Sequence, residues 1–453
     1  MAATGTAVAR ATRPGPPAWS RVRWGLAIAA VAGVAGLALG EALGSLATPS
    51  IAVIAAGGLA LLALLALALG RYEATVLLGV ALMGVVKVEP APTDAILTLA
   101  IVVALVSGRF DFARVHRGMA TVVGALLGLS ALSMLEAIDD ARGYQFLSIT
   151  VYLGLFGLWF STYVTSERRA RAVLHAYIGA ATLTALIGVV ALVAPVPGRA
   201  ALLYGGCCRA EGLLKDPNVF GPFLIPAAVI LLEELMAPRL LLGRRTPKLL
   251  ALGTLVLGVL VSYSRAAWLN LAVAVVVLIV LHVLRRGGAR AVVNLLLVIA
   301  LLAGTAGTFL VATGSETFLR DRAAVQSYDT ERFATQRAGI RLAGQHPIGI
   351  GPGQFELREP ISAHSTYVRV LAEQGALGFL TLIAFLLGTL AIAARNAAAG
   401  RSTYGIGSAA LLAAWVGLLA NSFFIDTLHW RHLWLVAALV WAGAVRRHRS
   451  TAP

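Results

Sequence analysis

The chain has 453 residues, of which 59% are hydrophobic and only 13% charged, whereas an ordinary soluble domain carries about a quarter charged residues. That composition excludes a soluble globular enzyme. The net charge of +16, from 37 basic and 21 acidic residues, would suit a nucleic-acid partner, but most basic residues collect in every other short loop between apolar runs, on one side of the membrane, so no nucleic acid is expected.

Residues 1–23, rich in Ala, Thr, Pro and Arg, read as a disordered tail. Apolar runs long enough to cross about 30 Å of hydrocarbon then recur. They fall at 24–46, 51–70, 74–86, 95–108, 119–137, 146–165, 172–193 and 218–236, then at 249–264, 266–284, 291–313, 366–394, 405–425 and 430–445. Backbone groups in lipid must bond internally, and no two-residue alternation argues for a barrel, so the runs are helices. The third and fourth are short and could be re-entrant. The expectation is an all-α polytopic membrane protein of 12–14 transmembrane helices, one domain over 24–445, with a long outer loop at 314–365 and a second tail at 446–453.

Arg10, Arg13, Arg21 and Arg23 precede the first run, and alternate loops then hold Arg71, Arg109, Arg114, Arg117, Arg168, Arg169 and Arg171. Further along, Arg239, Arg244, Arg245, Lys248, Arg285, Arg286, Arg395 and Arg401 continue the pattern. The rule that positive loops stay inside places both termini in the cytoplasm and the long loop on the outer face of the membrane.

Asp139 and Asp140 could hold a divalent metal between them, but they lack supporting ligands and read better as a solvated loop; no metal or cofactor is expected. The outer segment 194–217 carries the only cysteines, Cys207 and Cys208. Two small buried thiols are the favoured reading over a strained vicinal disulfide. Asp216 and Asn218 cap the run that follows. Arg265 stands between two apolar runs with almost no loop, which is costly unless it faces a cavity, a ligand or the headgroups.

Inside the long loop, 327–344 is helix-compatible, with Asp329 as its N-cap, Phe333, Ile340 and Leu342 as an apolar face, and Arg337 and Arg341 together on one side. Arg320, Arg322, Arg332 and Arg358 add to its basic character. Arg332, Arg337 and Arg341 could bind diphosphate or headgroups, or form a solvated face paired with Asp329 and Glu331. The glycine-rich stretch 349–353 forces a tight turn in which Gly351 and Gly353 shape the backbone, and His346 reads as structural.

The loop closes with HPIGIGPGQF, from His346 to Phe355, and HSTYVRVLAEQGALG, from His364 to Gly378. Here the chain resembles the O-antigen ligase and polymerase superfamily, in which a histidine, a small polar residue and an aromatic precede Leu-x-Glu-x-Gly-x-x-Gly. His364, Tyr367, Glu373, Gly375 and Gly378 fit that pattern. CRAEGLLKDPNVFG (Cys208 to Gly221) and YSRAAW (Tyr263 to Trp268) agree in order and spacing, with Arg209 and Arg265 in the places of two family arginines.

The resemblance implies a multispanning glycosyltransferase fold of the GT-C-like type, inversion at the anomeric carbon, and undecaprenyl diphosphate as glycan carrier. The residue types suit that chemistry. Arginine forks can stabilise a departing diphosphate without a metal, and a neutral histidine can accept the proton of an attacking hydroxyl. His364 is the candidate base, Arg209 and Arg265 are the candidate diphosphate ligands, and Arg337, Arg341 and Tyr367 are further candidates for substrate contact. The acceptor could be a lipid A core oligosaccharide, another lipid-linked glycan or a protein hydroxyl. A lipid-linked glycan flippase and a noncatalytic scaffold are the contrasting readings.

Overall fold

The computed structural model describes residues 68–286 and 327–444, with scattered positions between 293 and 314. The first two expected spans, both chain tails, and Arg320 and Arg322 lie outside the described residues, apart from a few positions ending the second span. Two compact units separate: residues 1–72 with 102–110, and residues 73–101 with 111–453. In the described part of the first, the Arg109 guanidinium sits 4.9 Å from the Tyr72 ring centre.

Among the described residues the ordered elements are helical, with isolated bridges in place of strands. They are α1 (Tyr72–Leu82), α2 (Pro92–Val106), α3 (Arg117–Ser133), α4 (Asp140–Tyr163), α5 (Glu167–Val193), α6 (Pro217–Met236), α7 (Arg245–Val261) and α8 (Arg265–Arg286). After the scattered positions come α9 (Ser327–Gln345), α10 (Thr366–Ala398), α11 (Ser408–Asn421) and α12 (Arg431–Ala442). Among the described residues, six helices are long and apolar enough to cross a membrane: α3 continued to Glu136, α4, α5, α6, α8 and α10. The chain is an all-α polytopic membrane protein. The short third and fourth expected spans are indeed short, since α1 and α2 have 11 and 15 residues.

Helix starts follow side-chain chemistry. Asp139, Ser166, Asp216 and Ser365 each accept a backbone N–H of the first turn of α4, α5, α6 and α10, and Pro217 opens α6, where a missing N–H costs nothing. Asp139 is thus a cap. Asp329, expected to cap α9, lies inside its first turn, because the helix already begins at Ser327.

Helix directions fix what shares an end of the second unit. The Glu233 carboxylate, near the end of α6, accepts the Ala410 N–H at the start of α11 at 2.7 Å, so these packed helices run antiparallel. Further along α11, Gly417 packs directly against Asn270 of α8. The end of α11 therefore lies with the starts of α6 and α8. Thr366, opening α10, donates its N–H to the Ser422 carbonyl just beyond α11 at 3.0 Å.

α10 is not straight. Tyr367 Oη donates to the Leu419 carbonyl at 3.2 Å and Trp415 Nε1 to the Leu386 carbonyl at 3.1 Å. In a straight helix Tyr367 and Leu386 would stand about 28 Å apart, yet their partners on α11 are only one turn, about 6 Å, apart. The bend falls at Gly375, whose φ of 68° and ψ of −173° break the helix. The first turns of α10 therefore lie across the end of the bundle.

Candidate active site

The break at Gly375 removes the helical partners of the Ala372 and Glu373 carbonyls. The glycine turn supplies replacements: Ile350 N–H donates to Ala372 O and Gly351 N–H to Glu373 O, both at 3.0 Å. Such close approach requires missing side chains. A Cβ on Gly349 would collide with the Glu373 carbonyl, and one on Gly375 with the Pro347 carbonyl. The two glycine-bearing motifs of the sequence are two halves of one backbone joint.

Gln354, fully buried, ties this joint to the turn before α4: its Oε1 accepts from Ile138 N (3.1 Å) and Asp139 N (2.9 Å), and its Nε2 donates to Asp139 O (2.9 Å) and Pro352 O (3.2 Å). The hub beneath is Arg369, 7% exposed. It donates to Glu373 at 3.2 Å, Asp426 at 3.1 Å and Glu356 at 2.7 Å, and Arg142 donates to Glu356 as well, at 3.1 Å. The Phe146 ring lies 5.4 Å from both the Arg142 and the Arg369 guanidinium. Burial works against the Asp426 carboxylate, but Arg369 and then His429 outweigh it and hold its pKa below the usual carboxylate range.

His364 stands on this platform with a left-handed φ of 45°, between buried Ala363 and the N-cap Ser365. It is half-buried. Burial, followed by the Arg332 charge, lowers its pKa to about 4, with Glu356 and Asp426 opposing and Arg369 adding to the depression. The ring is therefore neutral at neutral pH and able to accept a proton.

A short network ties Arg209 to the residue that precedes Arg265. Arg209 Nε donates to the Ser262 carbonyl at 3.1 Å, and its terminal nitrogen to Asn218 Oδ1 at 3.3 Å. The same Asn218 oxygen accepts from Ser264 Oγ at 2.9 Å, and the next residue, Arg265, opens α8. The tight turn between α7 and α8 carries Tyr263 at φ 48°. Helix directions bring Arg209, Arg265 and His364 to one end of the second unit.

The other candidates separate. Arg337 and Arg341 are exposed on α9, whose packed face is Thr335, Ala338 and Gly339; the missing Gly339 side chain admits Val368 and Phe355. This corrects the expected apolar face: Phe333 and Ile340 are 52% and 55% exposed, and only Leu342 joins the core around Phe355, Ala363 and Ala372. Small residues, not large ones, make the close contact. Among the described loop arginines, Arg332 is the one whose charge reaches His364.

Tyr367 donates its hydroxyl to the Leu419 carbonyl and packs against Phe423 with ring centres 4.3 Å apart, tilted by 34°. His346 lies between Arg358 at 3.2 Å and Glu136 at 3.4 Å, in keeping with a structural role. Cys207 and Cys208 are exposed, not buried, because glycines and a left-handed Cys208 turn them outward.

Sequence reasoning did not single out Arg369, Glu356, Arg142 and Asp426. The four-residue spacing of Arg369 and Glu373 was the one signal available.

Residues 250–383 match the family model described as O-Antigen ligase. The matched stretch includes Arg265, Arg332, His364 and Glu373 and leaves out Arg209 and Asp426. A comparison with curated proteins finds no match.

Proposed function

With residues 250–383 placing this chain in the O-antigen ligase superfamily, we propose that it transfers a glycan from undecaprenyl diphosphate to an acceptor hydroxyl at the outer face of the cytoplasmic membrane. The observation that carries this reading is the sharing of one bundle end by a neutral histidine and two arginines. His364 accepts the acceptor proton as the acceptor oxygen bonds to the anomeric carbon. The bond from that carbon to the diphosphate breaks with inversion, and its electrons leave on the diphosphate oxygen, which Arg209 and Arg265 meet with fixed positive charge.

Charge at the opposite end supports the outward orientation. Arg171, near the start of α5, donates to the Leu240 carbonyl after α6 at 3.0 Å. Arg239 and Arg285 lie close enough to influence Glu233 electrostatically. Arg171, Arg239 and Arg285 thus share the end away from His364, in line with a cytoplasmic side there.

A lipid A core, a lipid-linked glycan or a protein hydroxyl would each satisfy this geometry as acceptor, and the first two are favoured. A flippase is the alternative, and it needs ionisable groups near the midplane, whereas the ion-paired groups described here cluster at helix ends. The test is reconstitution with a defined lipid-linked oligosaccharide and each acceptor, with and without chelator. Product with release of undecaprenyl diphosphate supports transfer; movement of labelled lipid between leaflets without that release supports the flippase.

A further inference from the structure

The loop that carries Arg209 also carries the chain's two cysteines, which the transfer chemistry does not use. Both are exposed. They are adjacent in the chain, and the Cys207 thiol is the first cause of the raised pKa of Cys208, followed by burial. The loop is built from unusual backbone, with positive φ at Gly205 (64°), Gly206 (79°) and Cys208 (70°). Its bonds run straight into the arginine. Arg209 N–H donates to the Cys207 carbonyl at 2.8 Å, and Tyr204 N–H donates to the Arg209 carbonyl at 2.9 Å. The Arg209 guanidinium lies 5.5 Å from the Tyr204 ring centre.

We propose that Cys207 and Cys208 form a reversible vicinal disulfide by exchange with a protein or small-molecule disulfide, and that closing it withdraws Arg209 from the diphosphate site. The consequence for the site rests on the role given to Arg209 above. The Cys207 thiolate attacks the incoming disulfide, forming a mixed disulfide and releasing one thiol. The Cys208 thiolate then attacks the Cys207 sulfur and releases the second. Two cysteine protons and two electrons pass to the incoming disulfide, which leaves as two thiols.

Adjacent Cα atoms lie about 3.8 Å apart across a trans peptide, closer than the roughly 4.4–6.8 Å of an unstrained bridge. The ring therefore closes only if the peptide between the two cysteines twists. That peptide includes the Cys207 carbonyl that holds the Arg209 N–H. Strain also makes the bridge easy to reduce, as a switch requires.

The test uses the full chain in lipid nanodiscs, exposed to glutathione disulfide and then to dithiothreitol. The expected result has three parts: the peptide spanning the two cysteines loses two hydrogen atoms in mass, the Arg209 amide exchanges faster with solvent, and affinity for undecaprenyl diphosphate falls about tenfold, the scale of one lost hydrogen bond. Dithiothreitol reverses all three, and Cys208→Ser abolishes them. Mixed disulfides without an internal bridge, or a bridge that leaves Arg209 exchange unchanged, would overturn the switch. Arg209→Lys separates the two ideas: if it binds undecaprenyl diphosphate like the parent, the role of Arg209 fails, while its amide exchange still reports whether the loop moved.

Discussion

The two ends of the second unit bury carboxylates in opposite ways. At the end that carries the basic loops, the Glu234 carboxylate accepts three backbone N–H groups, from Arg239, Leu240 and Leu241, at 3.0 to 3.2 Å, and Glu233 caps α11. At the other end Glu356, Glu373 and Asp426 converge on one guanidinium, Arg369. Backbone donors fix a chain turn and have nothing further to offer. A shared arginine fixes a fold and also adds to the field at a neighbouring side chain, here His364, behind burial and the Arg332 charge. The first end is a joint; the second is a joint that also bears on the proposed base.

Substitutions can break that contrast. The largest effect is expected from His364→Ala, which should lower transfer by about 10²- to 10⁴-fold while the unfolding midpoint stays at the parent value; native-rate product from a folded variant would remove the base. Arg369→Ala should come next in severity, costing about 3–5 kcal/mol of stability because buried Glu373 loses its guanidinium, and Asp426 and Glu356 are left with only His429 and Arg142 as charged neighbours. Thermal unfolding in detergent checks this. A parent-like midpoint would show that the hub is solvated.

Gly375→Ala puts a side chain at a left-handed position against the Pro347 carbonyl. It should cost at least about 1–3 kcal/mol and depress transfer with stability. Glu234→Ala, at the joint end, should cost a similar amount by orphaning backbone donors, yet leave transfer per folded molecule unchanged. Equal loss of turnover from the two substitutions would erase the proposed difference between the ends.

The smallest effect concerns pH. Because the His364 pKa is lowered to about 4, the ring is neutral above that value and protonates only as pH falls through it. Transfer should therefore stay level through neutral pH and fall on an acid limb near 4, not near the usual 6.5 of an exposed histidine. Arg332→Gln removes one lowering charge and should move the limb upward. Because burial is the larger cause, the limb should not reach the ordinary value.

The helical runs were legible because lipid forbids alternatives: the expected spans 218–236 and 172–193 differ from α6 and α5 only at their starts. The glycine turn and the Glu373 motif were legible as separate pieces. That they form one joint was not, since the Ala372 and Glu373 carbonyls meet Ile350 and Gly351 only after the break in α10. Asp426 gave no signal, because its partner Arg369 lies 57 positions away. The α9 face was misread because hydrophobicity marks Phe333 and Ile340, whereas close packing against Val368 selects Gly339.

The proposed siting of His364 and Arg265 at one outward-facing end underlies the whole account. In a full chain carrying Cys207→Ser and Cys208→Ser, the pair His364→Cys and Arg265→Cys can be probed with a short bifunctional thiol reagent that does not cross membranes. The account predicts an intramolecular link formed by reagent added to intact cells. A link formed only after the inner face is exposed, or no link at either face, would contradict it.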